Sequence, residues 1–206
     1  MRPIQKILVI ETSPRGPDSV SRRLTEKVVA GLRARSPRAE VFVRDLAHEP
    51  IPHLEGVVVG AAFTPPESRT SGQKAAIALS DALVDELLEA DAVVIGVPMW
   101  NFGLPSVLKA WIDHVVRANR TFSFVGGAPA GLLQKDKKVI VVKASGSRFT
   151  GSPLESLDHL EPHLKTVFGF MGVPNLEFVR AEGLNDPKVQ ANALEEARSA
   201  IARAIA

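Results

Sequence analysis

Three short stretches of this 206-residue chain carry side chains that could do chemistry. The first runs through Thr12, Ser13, Pro14, Arg15 and Gly16 to Asp18, Ser19, Val20 and Ser21, offering hydroxyls and one guanidinium. If a helix begins at Ser19, its free N–H groups and dipole add anion affinity, and a phosphate would fit. Read alone, Ser19 is an ordinary helix cap in a polar turn. The stretch contains neither G-x-x-x-x-G-K-[ST] nor G-x-G-x-x-G, so P-loop and dinucleotide Rossmann sites lack support. The second stretch, Pro98-Met99-Trp100-Asn101-Phe102-Gly103-Leu104-Pro105, sets two aromatic rings beside an amide. A planar heteroaromatic ring needs flat apolar contact and a few placed donors and acceptors, which Trp100, Phe102 and Asn101 could supply. One aromatic alone would more simply plug the end of a core. The third stretch, Ala144-Ser145-Gly146-Ser147, adds hydroxyl donors and a glycine that permits close backbone approach.

Other chemistries fare worse. Ser145 or Ser147 with His159 or His163 and Asp158 has the composition of a hydrolytic triad, but no G-x-S-x-G frames either serine. His159 and His163 stand four apart and could share a metal, yet the segment is not H-E-x-x-H and no third ligand is evident. They read as surface residues, and no metal site is expected. With no cysteine in the chain, disulfides, thiolate nucleophiles, iron–sulfur ligation and cysteine-type zinc sites are excluded.

The elements that must position these stretches alternate between strand and helix. Lys6 to Glu11 is a branched apolar run that reads as a buried strand, followed by a helix carrying Leu24, Val28 and Leu32 and ending near Ser36-Pro37. Glu40 to Asp45 is a second strand. The Pro-bearing stretch from Leu46 to Arg69 reads as a long loop or flap. A helix from about Thr70 to Glu89 leads to the apolar third strand, Ala92 to Val97. Leu104-Pro105 opens a helix with Leu108, Trp111, Ile112 and Val115 on one face, and Thr121 to Gly127 reads as a small hairpin. The fourth strand is Lys138 to Lys143. A helix from Ser152-Pro153 with Leu157, Leu160, Leu164 and Val167 inward precedes the fifth strand, Leu176 to Ala181, and a last helix starts at Asp186-Pro187.

Five strands alternating with five helices predict an α/β fold, a doubly wound parallel sheet in a single domain over residues 1–206. Strand order is not readable from the chain; in a flavodoxin-like order, 2-1-3-4-5, the loops after strands one, three and four converge at the switch point where such folds hold FMN. Hydrophobic residues make up 45% and charged residues 23%, an ordinary globular balance. The 25 basic and 23 acidic residues leave a net charge of +2 without a basic stripe, so no nucleic-acid partner is expected. The longest apolar run, around Ala92 to Trp100, falls short of the ~20 residues of a membrane span, and no signal-peptide pattern precedes the first strand. A soluble cytoplasmic protein with no membrane partner is the expectation.

Over nearly its whole length the chain resembles the flavodoxin-like family of FMN-dependent NADH:quinone oxidoreductases and azoreductases. The resemblance is carried by ETSPRGPDSVSRRL, VRDLAHEPIP, PMWNFGLPSVLKAWIDHVVRANRTF, the GL…KK approach to the fourth strand, and FGFMGV…EFVRAEG. It implies FMN contacts at Ser13, a phosphate held by Ser19, Val20 and Ser21, and an isoalloxazine ring against Met99, Trp100, Asn101 and Phe102. Family members usually carry tyrosine where Trp100 stands, and Ser-Arg-Gly-Gly where this chain has Ala144, Ser145, Gly146 and Ser147. The resemblance further implies NADH or NADPH as electron donor, ping-pong two-electron reduction of a quinone or azo substrate, and a homodimer. Phe122, Phe124, Phe168 and Phe170 would be available as walls on the partner or substrate side, although core packing suits most of them better. No acid–base side chain is required, because the cofactor carries the chemistry. An electron carrier of flavodoxin type shares fold and cofactor, but such carriers are smaller and strongly acidic.

Overall fold

The computed structural model describes residues 3–206. In chain order its elements are β1 (Lys6–Glu11), α1 (Val20–Arg35), β2 (Glu40–Asp45), α2 (Gly56–Phe63), α3 (Ser71–Glu89), β3 (Ala92–Pro98) and α4 (Ser106–Val115). There follow β4 (Phe122–Val125), β5 (Ala128–Gly131), β6 (Lys138–Ser145), α5 (Leu160–Phe170), β7 (Glu177–Glu182) and α6 (Pro187–Ala204). The main sheet has the order β2-β1-β3-β6-β7, parallel throughout, which is the 2-1-3-4-5 order of the flavodoxin-like fold once the β4–β5 hairpin is set aside.

The apolar runs become strands because both faces of the sheet are covered. Along β1, Ile7 and Val9 face α1 and α6, where Leu24, Val28, Leu32, Ala197 and Ile201 receive them. Leu8 and Ile10 face the other way, into the core built with Leu83 and Leu87 of α3, Trp111 of α4 and Leu164 and Phe168 of α5. Local signals agree with this placement. Ser19 caps α1 by accepting from the Arg22 N–H, and Thr70 and Gln73 form a reciprocal capping box at the start of α3. Register brings Glu11 beside Asp45 on one side and Gly96 on the other, and sets Pro98 beside Ala144. The carboxyl ends of β1, β3 and β6 therefore lie side by side.

The structure departs from three expectations. The stretch from Leu46 to Arg69 is not only a loop or flap: it contains α2, so the described residues form six α-helices rather than five. Three consecutive valines and the absence of a side-chain cap hide this helix from sequence reading. Docking supplies what propensity lacks, with Val58 and Ala61 against Ile77 of α3 and the Arg69 Nε–H donating to the Ala61 and Thr64 carbonyls at 2.9 and 3.1 Å. The helix expected from Ser152-Pro153 begins instead at Leu160, after a single turn over Glu155–Leu157, and Leu157 is 40% exposed rather than inward. Asp158 explains the late start, since its Oδ1 accepts from the Leu160 and Glu161 N–H groups at 2.9 and 3.2 Å. The hairpin is present but longer than read from the chain, turning at Gly126-Gly127 and returning as β5. Among the described residues no helix is long and apolar enough to cross a membrane.

The hairpin is fastened to the end of α5 by a backbone-to-backbone approach. The Leu133 N–H donates to the Met171 carbonyl at 2.9 Å, and a Cβ on Gly131 would collide with the Gly172 backbone. Gly131→Ala is expected to cost about 1–3 kcal/mol, as overpacking of a closed contact does. Urea unfolding measures this, and an unchanged midpoint would mean that the hairpin does not dock there.

Candidate functional site

Loop one leaves β1 at Glu11 and enters α1 at Val20. Its hydroxyls point inward: Thr12, Ser13, Ser19 and Ser21 are all buried. The Thr12 hydroxyl donates to the Gly96 carbonyl at 2.8 Å, tying the loop to β3. Ser19 and Ser21 lie with their hydroxyl oxygens 3.0 Å apart at the mouth of α1, where the N–H groups of Val20 and Ser21 have no intrahelical acceptor. Arg22 clamps the loop from below. Its Nε and Nη2 donate to the Ser13 carbonyl at 3.0 and 2.7 Å, and its two terminal nitrogens engage Asp45 at 2.6 and 2.8 Å. Burial alone would raise the Asp45 carboxyl, but the hydrogen bonds from Arg22 and His48 outweigh it and hold it well below the ordinary range.

Loop two is a tight turn. Trp100 and Gly103 exchange backbone hydrogen bonds at 3.2 and 2.9 Å, and the two residues between them, Asn101 and Phe102, both have positive φ, +45° and +68°. That is the geometry of a two-residue hairpin turn, which usually takes asparagine and glycine. Phenylalanine in the left-handed region is strained. Both rings lie outward: Trp100 is 46% and Phe102 49% exposed, at the end of an otherwise buried strand. Met99 is half-buried, its N–H bonded to the Ala144 carbonyl at 2.8 Å.

Loop three follows β6. Ser145 is buried, its hydroxyl donating to the Ser147 carbonyl at 2.8 Å, so this side chain is spent within the loop, while Ser147 is exposed. Gly146 lies against Asn185, whose side chain a Cβ would strike. Phe149 folds back under the loop and meets Phe102 edge to face at 6.4 Å.

Between loops one and two opens a cavity of about 610 Å³, lined by Thr12, Pro14, Ala47, Trp100, Asn101 and Leu104 among others. This volume suits one medium-sized organic ligand. A cavity of about 640 Å³ lies at the opposite end of the sheet, around Leu32, Arg35, Val139 and Ile205, away from all three loops. The structure thus brings Ser13, Ser19, Val20 and Ser21 to one edge together with Met99, Trp100, Asn101 and Phe102, with Ser145, Gly146 and Ser147 on the strand beyond. The hydrolytic grouping is not assembled, since Asp158 is engaged by Lys143 and Ser145 by its own loop. His159 is exposed, whereas His163 departs from the surface reading: its Nε2 is enclosed, and burial and then Lys109 lower its proton affinity. Of the four phenylalanines, Phe168 is core, and Phe122 packs on Phe170 at 4.5 Å and on Phe124 at 5.8 Å. Sequence reading missed Arg22, Asp45 and Glu182 as loop fasteners. All three stand inside segments that carry the resemblance, but none has a local signal that names its partner.

A family profile described as flavodoxin-like fold matches residues 5–205. The chain is 44% identical over 202 residues to the FMN-dependent NADH:quinone oxidoreductase of Beijerinckia indica, covering 98% of this chain and 100% of that one. It is 46% identical over 182 residues to the protein of the same name from Azotobacter vinelandii, covering 88% and 89%. Among solved structures, the azoreductase from Bacillus anthracis str. Sterne superimposes with a TM-score of 0.85 at 29% identity, covering 98% and 97%. The FMN-dependent NADH-azoreductase from Bacillus anthracis str. Ames Ancestor in complex with FMN gives 0.85 at 25% identity, covering 98% and 100%.

One buried acid under loop one generates a pH test. Glu11 is buried, its Oε2 and the Thr25 hydroxyl both without a partner beside Gly96. Burial pushes its carboxyl up to about 7; Arg22 opposes this, while Asp45 and Glu26 add to it. The folded protein therefore keeps a proton that the unfolded chain releases near its ordinary value of 4.5. Stability is fully present below that value and is lost as pH rises through about 7, by roughly 3 kcal/mol in all. Glu11→Gln is expected to match wild type at pH 4 and to exceed it at pH 8 in urea unfolding. Parallel curves for the two proteins would overturn this assignment.

Proposed function

The chain belongs to the flavodoxin-like family of FMN-dependent NADH:quinone oxidoreductases, and we propose that it binds FMN at the edge formed by its three loops and reduces quinones and azo compounds with electrons from NADH. The observation that carries the reading is the gathering, at one carboxyl edge of the sheet, of a buried hydroxyl pair at a helix N-terminus and a turn with two exposed rings, beside a cavity lined by Thr12, Pro14, Trp100 and Asn101. The donor set suits the group. Ser19, Ser21 and the N–H groups of Val20 and Ser21 present hydroxyl and amide donors to a phosphate. Trp100 and Phe102 offer flat apolar contact to an isoalloxazine ring, and Met99 and the Asn101 amide flank it. Ser13, Ser145, Gly146 and Ser147 complete the proposed contacts through loop backbone.

When bound, FMN supplies the two-electron chemistry, taken from NADH and released to a quinone or azo compound in separate, ping-pong half-reactions. The residues of this chain bind and orient. The Arg22 clamp fixes the Ser13 carbonyl, so the hydroxyls of loop one need no rearrangement to receive a phosphate. The turn at Asn101 and Phe102 holds Trp100 and Phe102 exposed, where a flavin ring could lie against them. No side chain has to move a proton.

A second copy of the chain is the proposed partner. Leu54, Val57, Val59 and Phe63, on α2 and the segment leading into it, are exposed, Phe63 by 76%. Exposed apolar side chains gathered on one short element are a candidate contact surface for a second copy. Sedimentation is expected to give the mass of two chains, reduced to one by Phe63→Asp; a wild-type monomer would overturn the dimer.

Purified protein supplied with FMN and gel-filtered should retain a flavin spectrum that bleaches with NADH and recovers with benzoquinone under anaerobic conditions. Combined Ser19→Ala and Ser21→Ala should weaken FMN by about tenfold or more while leaving riboflavin, which lacks the phosphate, unchanged. Failure to retain flavin, or equal weakening of both ligands, would contradict the loop-one assignment.

A further inference from the structure

Beneath loops two and three lies a buried charge cluster that no flavin contact uses. Lys143 sits in β6 opposite Val97 and Arg180, with a side chain that is 0% exposed. Its ammonium reaches Asp158 and Glu182 at 2.6 Å each and Glu161 at 3.3 Å. Arg180 binds Glu161 a second time, at 2.6 and 2.7 Å. A buried ammonium is costly unless fully partnered, and three carboxylates whose oxygens lie within 4.8 Å of one another would repel without it. Burial alone would lower its proton affinity, but the hydrogen bonds to Asp158 and Glu182 outweigh this and hold it above the ordinary lysine value.

Two of the carboxylates have a second task, and each leads to a different loop. The other oxygen of Glu182 accepts from the Phe149 and Thr150 N–H groups at 3.1 and 2.9 Å, which holds loop three. Phe149, with the Lys143 ammonium 5.3 Å from its ring centre, is the residue that meets Phe102. Asp158 starts α5 with its free oxygen, and the next residue, His159, donates its N–H to the Phe102 carbonyl at 2.9 Å. Phe102 is the strained residue of loop two, and a left-handed phenylalanine persists only where its surroundings over-determine it.

We propose that Lys143 is a positioning residue for the flavin ring: by gathering Asp158 and Glu182 onto one ammonium it fastens loops two and three in a single geometry, without touching the ring. The proposal rests on the flavin reading above. It assigns the ring, and not the phosphate, to the control of this cluster.

The test compares FMN and riboflavin binding by the apoprotein and by three variants. Lys143→Met removes the ammonium. Asp158→Asn keeps a helix cap but breaks the arm to loop two, and Glu182→Gln breaks the arm to loop three. Lys143→Met is expected to weaken FMN and riboflavin by the same factor, about tenfold, and each single-arm variant by less. This equal loss is the opposite signature to that of the serine pair. Amide exchange in the apoprotein gives a readout without flavin: Phe149, Thr150 and His159 should exchange faster in Lys143→Met. If Lys143→Met does not fold, the two arm variants carry the comparison.

Wild-type affinity for both ligands in folded variants, a loss confined to FMN, or unchanged amide exchange would each overturn the proposal. Wild-type protein that binds neither flavin but shows the accelerated exchange on substitution would overturn the flavin reading and leave the restraint of the loops by Lys143 standing.

Discussion

Burial of the sheet on both faces is the constraint from which the rest follows. Ile7 to Ile10, Val93 to Ile95 and Val139 to Val142 have no polar side to turn toward water, so ionisable groups are pushed to the ends of their strands. At the carboxyl edge the last residues of β1, β2 and β7 are all acidic, Glu11, Asp45 and Glu182, and β6 carries Lys143 two residues before its end. Charges that leave water need partners, and the nearest donors belong to the loops. Loop positions and charge satisfaction are therefore one problem with one solution.

The two halves of the edge solve it differently. Under loop one a single guanidinium spans Asp45 and the Ser13 carbonyl, a planar fork that fixes direction as well as distance. Under loops two and three a point-like ammonium gathers carboxylates that pass the restraint on through backbone amides. The left-handed conformation of Phe102 carries strain on the order of 1–3 kcal/mol, and it survives because the Trp100–Gly103 exchange and the His159 N–H hold the turn from both sides. The turn leaves two rings exposed at the end of a strand whose other side chains are enclosed.

The strands and the three loops were legible in the chain because the signals are local: branched apolar runs, a capping serine, an aromatic pair flanked by prolines. Parallel order was legible only through resemblance, since nothing in a single strand reports its neighbour. Where local signals fail, tertiary contact has overridden them. The valine run of α2 looks unlike a helix until Ile77 and Arg69 are beside it, and Leu157 looks like core until Asp158 is seen to delay α5. The Lys143 cluster was out of reach for the same reason. Its carboxylates stand 15, 18 and 39 residues away along the chain, a spacing with no periodicity to read.

Two acids side by side, one buried and one half-buried, show how far register decides electrostatics. Glu11 and Asp45 end neighbouring strands as direct partners, and both face Arg22. The guanidinium fork can close on only one of them, and it closes on Asp45, which His48 also binds. Asp45 therefore keeps its charge, while Glu11, without a partner at Oε2, retains a proton up to about neutrality. One cation, one anion and one largely neutral acid leave the floor of loop one with little net charge. A second full carboxylate there would add negative charge beneath the loop and oppose an anion bound to it. The burial that makes Glu11 expensive to ionise is thus the same feature that leaves the end of α1 free to attract a phosphate.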